Sequence, residues 1–109
     1  MMNLFAEYYK ERQELETIVT DYGFLTYGIH QEQALRGDIF VLPEFRGTSK
    51  SFELYNLFFE KAKEAGCKRI FANFSVADKA ASRNLGTVLR RRFKIVGADK
   101  QVITVCKEL

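Results

Sequence analysis

Residues 39–52 read Ile39-Phe40-Val41-Leu42-Pro43-Glu44-Phe45-Arg46-Gly47-Thr48-Ser49-Lys50-Ser51-Phe52. Four apolar residues in succession, closed by the only Pro of the chain, predict a central strand covered on both faces. A short polar loop carrying Arg46, Thr48, Ser49, Lys50 and Ser51 follows. It leads into a helix of about four turns, on which Phe52, Tyr55, Phe59 and Ala62 form a stripe flanked by Leu54 and Phe58. Gly66 stands where a left-handed helix cap belongs. A strand, a basic loop and a helix N-terminus in this order make an anion site. The first helical amides have no internal partner, and the helix dipole favours negative charge there. Arg46 and Lys50 add cations, and the three hydroxyls add donors, so a phosphate or pyrophosphate would be held. The alternative is that Ser49 or Ser51 simply caps the helix while both cations are solvated. The spacing is not that of a Walker loop.

Working outward, Leu4, Phe5, Tyr8 and Tyr9 give residues 3–14 the spacing of an amphipathic helix. Residues 15–20 and 24–30 read as an antiparallel strand pair around the turn residues Asp21-Tyr22-Gly23. Gly37-Asp38 reads as a second turn ahead of the strand at 39–42. Downstream, residues 69–75 form a strand. A helix capped by Asp78 runs to about Arg91, with Ala77, Ala81, Leu85, Val88 and Leu89 inward. A hairpin at 93–97 and 101–107 closes the chain. The fold class is therefore α/β, an α+β mixed sheet of order α-β-β-β-α-β-α-β-β. One parallel pair, joined by a crossover helix, lies within a mostly antiparallel sheet.

Composition bounds what such a chain does. With 109 residues, 47% hydrophobic residues, a single Pro and 28% charge, one ordered domain, 1–109, is expected. The net charge of +3 is mild for a phosphate-backbone binder. The run Arg90-Arg91-Arg92 reads first as the cationic last turn of a helix, so nucleic acid is not the expected partner. Cys67 and Cys106 match no zinc or disulfide spacing and read as buried thiols. No apolar run reaches the ~18 residues of a membrane span and no signal-peptide pattern opens the sequence, so a cytoplasmic protein without membrane contact is expected.

The string from Ile39 to Gly47 resembles motif A of the GNAT N-acetyltransferases, usually V-x-P-E-Y-R-G-x-G-x-G between a strand and the long helix. Arg92-Phe93-Lys94-Ile95-Val96-Gly97 is similar to that family's G-F-x-x-V-G ending, and the likeness spans roughly residues 15–107. The resemblance implies a mixed sheet with a central splay, and acetyl-coenzyme A as co-substrate. Its pantetheine arm would pair with the backbone of Ile39, Phe40 and Val41, like an added strand. Its pyrophosphate would rest on Gly47, Thr48, Ser49, Lys50 and Ser51, with Arg46 alongside and Phe52 behind. An amine acceptor, small molecule or protein, would attack the thioester directly, with a base to take its proton.

The sequence also departs from that pattern. Ser49 and Ser51 stand where the family has Gly, so each adds a Cβ near the phosphates. The family's frequent Tyr acid falls on Val88, its preceding Asn on Ala81, and the Gly of its G-F pair on Arg92. Asn84 and Ser82 lie nearby but out of register. The family's first strand and first helix have no counterpart in the fourteen or so residues before the strand at 15–20. His30, Asp38 and Glu44 are candidate bases, and the sequence selects none of them. Two functions follow: an N-acyltransferase, or a degenerate binding protein on the same fold, of the kind a compact viral genome would carry. The second would act through its surface, or by pairing an exposed sheet edge near residues 15–20 with a copy of itself or another protein.

Overall fold

A computed structural model describes residues 15–109; the helix expected over 3–14 lies outside that range. Six strands form one sheet in the order β1-β2-β3-β4-β6-β5. They are β1 (Glu16–Val19), β2 (Gly23–His30), β3 (Gln33–Val41), β4 (Arg69–Ser75), β5 (Lys94–Ala98) and β6 (Val102–Glu108). Two helices, α1 (Lys50–Glu64) and α2 (Lys79–Arg90), connect β3 to β4 and β4 to β5. The parallel pair is β3 with β4, and the remaining neighbours are antiparallel. The edges are short, as unpaired strands tend to be: four residues in β1 and five in β5.

Gly37-Asp38 is not a turn. β3 runs unbroken from Gln33 to Val41, and its turn from β2 lies at Gln31, which adopts φ 57°. Leu25 pairs with Ile39 but Tyr27 pairs with Arg36, so Gly37 and Asp38 together oppose Thr26. This is a β-bulge on β3. The Asp38 N–H displaced from the ladder donates to the buried Thr26 hydroxyl at 2.7 Å. Only Gly fits at 37, because a Cβ there would meet that same hydroxyl. The sequence signal is shared by turns and bulges; what decides is Thr26, a residue of another strand.

The bulge sets up the site. β3 and β4 pair only at Gln33–Leu35 with Arg69–Phe71, and beyond them the two strands diverge. The β3 backbone from Ile39 to Val41 therefore has β2 as its one strand partner among the described residues. Leu42 N–H points to the Tyr22 carbonyl on the β2 side, which turns the Val41 carbonyl toward the open side. The apolar run at 39–42 is not covered on both faces by the described residues. Phe40 is 41% exposed, and its outward ring walls a cavity instead.

One core cluster holds Leu25 and Tyr27 of β2, Ala34 and Val41 of β3, Ile70, Ala72 and Phe74 of β4, and Val105 of β6. Against them α1 places Leu54, Tyr55, Phe58 and Ala62. The inward stripe of α1 is thus centred on 54, 55, 58 and 62, with Phe52 and Phe59 half-buried beside it. From α2 comes Val88, with Leu85 packed at the margin, whereas Ala77 and Leu89 are exposed rather than inward. Burying large side chains on this scale stabilises each by roughly 1.5–3 kcal/mol.

Both helices end in the same way. After α1, Gly66 (φ 83°) and Cys67 donate back to Lys63 and Ala62 at 3.0 and 2.9 Å. After α2, Arg92 (φ 70°) and Phe93 donate to Leu89 and Val88 at 3.3 and 3.2 Å. These are Schellman motifs, each closed by a buried pair, Ala62 with Cys67 and Val88 with Phe93. Arg92 occupies a position that favours glycine.

Candidate functional site

The divergence of β3 from β4, the loop after Pro43 and α2 enclose a cavity of about 550 Å³. It is lined by Ile39, Phe40 and Val41 of β3, by Arg46, Gly47 and Ser51, and by Asn84, Gly86, Thr87 and Arg90 of α2. Six of the residues expected to hold the co-substrate therefore meet at one place.

Their local geometry follows from the chain. Pro43 starts a single 3-10 turn, Pro43–Phe45, which reverses the backbone after β3. Gly47 then takes φ 76°, a conformation that opens the loop, and no atom lies within 4 Å of where its Cβ would be. Arg46 folds back so that its Nε donates to the Val41 carbonyl at 2.8 Å, and its guanidinium lies 5.4 Å from the Phe40 ring centre. The cation is thereby fixed at the cavity mouth. Ser49 makes no side-chain cap on α1; the Lys50 N–H is instead met by the Thr48 hydroxyl at 3.3 Å. The reading in which Ser49 caps the helix does not hold.

Four of the expected residues stand outside the lining. Lys50 pairs with Glu53 at 3.3 Å and lies over the Tyr22 ring at 5.1 Å. Thr48 and Ser49 are exposed on the loop, and Phe52 supports the site from behind, with the Arg91 guanidinium 3.7 Å from its ring centre. The contribution of α2 escaped sequence reading. Asn84, Thr87 and Arg90 recur every three residues and form a polar stripe beside the apolar Leu85 and Val88. That stripe is the available signal, whereas Arg90 reads in sequence first as a helix-end cation.

A second, smaller cavity of about 230 Å³ shares Ile39 and Asn84 with the first. It lies in the splay itself, between Arg36, Gly37 and Asp38 of β3 and Asn73, Phe74 and Ser75 of β4, with Asp78 at its rim. Of the three candidate bases, Asp38 alone lines it. His30 pairs with Gln33 at the opposite end of β3, roughly 20 Å of strand from Ile39. Glu44 is exposed on the 3-10 turn and lines neither cavity. Val88, in the register of the family's acid, is fully buried and has no proton to give. Ala81 and Ser82 carry no described side chain.

Neither thiol lines a cavity, and burial raises both the Cys67 and Cys106 pKa above 9.0, so both stay protonated near neutrality. Among the described residues no group of three His, Cys, Asp or Glu is placed to hold a metal ion, and no helix is long and apolar enough to cross a membrane.

The family profile described as acetyltransferase (GNAT) family matches residues 5–85. The chain belongs to the acetyltransferase (GNAT) family. Solved structures share its fold at low identity. PaiA N-acetyltransferase from Thermoplasma acidophilum, in complex with coenzyme A, superposes with a TM-score of 0.77 at 15% identity, over 97% of this chain and 69% of that one. A Bacillus subtilis acetyltransferase in complex with coenzyme A gives 0.74 at 15% identity, over 98% and 84%. An IAA acetyltransferase from Bacillus cereus gives 0.75 at 14%, over 89% and 79%. Comparison with curated protein sequences gives no match.

Proposed function

We propose that this protein transfers an acetyl group from acetyl-coenzyme A to an amine, without an acyl-enzyme stage. The observation that carries the reading is the 550 Å³ cavity in which the open β3 backbone, Arg46 and the start of α1 converge. The residues present fit the co-substrate. The divergence of β3 from β4 leaves the Ile39–Val41 backbone without a strand partner on the side where a pantetheine amide would bond, with the Val41 carbonyl accepting from Arg46 Nε, and Gly47 leaves empty space beside Arg46. Ser51 contributes a hydroxyl at the wall where the family has Gly, while Ser49 lies outside the lining.

Acetyl-coenzyme A bound there supplies the activated acyl group. Arg46, the Gly47–Ser51 amides and Arg90 hold its phosphates, an arrangement of charge-assisted bonds at a helix N-terminus. The Ile39 and Val41 backbone orients the arm toward the splay. Asp38, at the far end of the same strand segment, takes the proton of the attacking amine. Asn84, common to both cavities, holds the reacting groups where the two spaces meet. Direct attack agrees with the location of both thiols outside the cavities.

The test is acetyl transfer from acetyl-coenzyme A to a panel of amines, followed by mass spectrometry of the products. Wild-type protein should form N-acetyl product, and Asp38→Asn should lower turnover by about 10²–10⁴-fold. Product formed equally well by the variant would remove Asp38 from its role, and no product with any amine would remove the catalytic reading.

A further inference from the structure

The second cavity carries an unusual cation. Arg36 projects from β3 into the space that its own bulge opens, and three contacts fix its guanidinium there. Nη1 donates to the Tyr55 hydroxyl at 2.9 Å, Nη2 donates to the Asn73 carbonyl at 3.0 Å, and the group stacks 4.5 Å from the centre of the Phe74 ring. Among the described residues no carboxylate pairs with it. Its Nε is buried without a hydrogen-bond partner. A guanidinium offers five N–H donors, and the two neutral acceptors satisfy only part of that capacity. Leaving a buried donor unmet costs ~1–3 kcal/mol. An anionic group arriving in the cavity would answer the charge.

The same cavity contains groups of opposite character. Asp38 follows directly after Gly37, and Asp78 also lines the space. Arg36 and two carboxylates lining one cavity match a small molecule that carries both an anion and an ammonium. The volume of about 230 Å³ corresponds to roughly eight water molecules at ~30 Å³ each, which suits a single amino-acid-sized molecule. The cavity joins the larger one at Ile39 and Asn84, so an ammonium held at Asp38 sits where the acyl group would be delivered.

The geometry points to an α-amino acid or close analogue as the acceptor, its carboxylate paired with Arg36 and its amine with Asp38. This rests on the acetyltransferase reading above and specifies its substrate class. A planar guanidinium recognises a carboxylate through paired N–H bonds, so removing the carboxylate charge should be felt strongly.

The experiment separates the two claims. Binding of coenzyme A alone is first measured by calorimetry, and its absence would overturn both. Protein saturated with coenzyme A, which cannot turn over, is then titrated by NMR with α-amino acids, the matching α-amino amides and linear diamines. Acetylation of the same compounds is followed in parallel with acetyl-coenzyme A. The expected result is that at least one amino acid binds and reacts tenfold or more better than its amide and than any diamine. Arg36→Lys should erase most of that preference. Should Arg36→Lys fail to fold, the wild-type comparison of acid with amide decides by itself. Amides or diamines binding as well as amino acids, or no amino acid binding at all while coenzyme A does, would overturn the assignment and leave the acetyltransferase reading in place.

Discussion

Arg92 holds φ 70° at the end of α2, in the position that Gly66 fills with φ 83° at the end of α1. The two motifs make the same backward hydrogen bonds and bury the same kind of apolar pair, so they serve as controls for one another. A residue with a Cβ in the left-handed region costs roughly 1–2 kcal/mol. Replacing Arg92 by Gly removes that strain but adds freedom to the unfolded chain, which returns about 0.4–1 kcal/mol. The charge of Arg92 brings little to offset this. It follows Arg90 and Arg91, and it is one of the cations that, after burial, hold the Lys107 pKa below its usual value. Arg92→Gly should therefore stabilise by about 0.5–1 kcal/mol, or roughly 2–5 °C in Tm for a domain of this size. Arg92→Ala keeps the Cβ and should stay within about 0.5 kcal/mol of wild type. Gly66→Ala should destabilise by about 0.5–1 kcal/mol, a torsional effect, since no atom lies within 4 Å of the added Cβ. Urea denaturation with unchanged m-values measures all three. Arg92→Gly no more stable than Arg92→Ala would refute the reasoning, as would a neutral Gly66→Ala.

Other expectations are more local. Thr26→Val leaves the Asp38 N–H of the bulge without its acceptor and should destabilise by about 1–3 kcal/mol in the same assay, whereas a bulge held by chain geometry alone would tolerate it. Gly23→Ala sets a Cβ against the Phe40 carbonyl and should cost at least about 1 kcal/mol, read as a lower urea midpoint; a wild-type midpoint would mean the strands separate freely there. Burial raises the pKa of Cys67 above 9.0 and of Tyr55 above 10.0. Both groups are held neutral in the fold, so their contribution is complete below those values and is lost as pH rises through the raised ones. Stability should be level in these groups below the ordinary thiol range and fall as pH rises through the raised values, less steeply in Tyr55→Phe. A profile that rises above pH 9 would contradict the burial of these groups.

Much of the architecture was legible because its signals are local. The strand at 69–75 keeps the bounds read from its residues, Gly66 marked a helix end, and Pro43-Glu44-Phe45-Arg46-Gly47 placed the loop where the cavity opens. The bulge was not legible, since Gly37-Asp38 carries turn chemistry and only Thr26, eleven residues earlier and on the neighbouring strand, decides against a turn. Lys50 was grouped with Arg46 by proximity in sequence, but one side chain folds back to Val41 and the other pairs within its helix. The α2 side of the site was not legible from the family register, which falls on residues 81 and 88, while the cavity is met by Asn84, Thr87 and Arg90. Arg36 gave no sequence signal at all. Its role depends on how far two strands diverge, and nothing in a strand's own residues states that.

The central claim is that the open β3 segment, Arg46 and the α1–α2 walls form a coenzyme A site. It is tested most directly by calorimetric titration of acetyl-coenzyme A into wild-type and Arg46→Ala protein. The account predicts saturable binding to wild type and an affinity at least tenfold weaker, about 1.4 kcal/mol, for the variant. No saturable heat with wild type at millimolar acetyl-coenzyme A, or equal affinity in the two proteins, would contradict it.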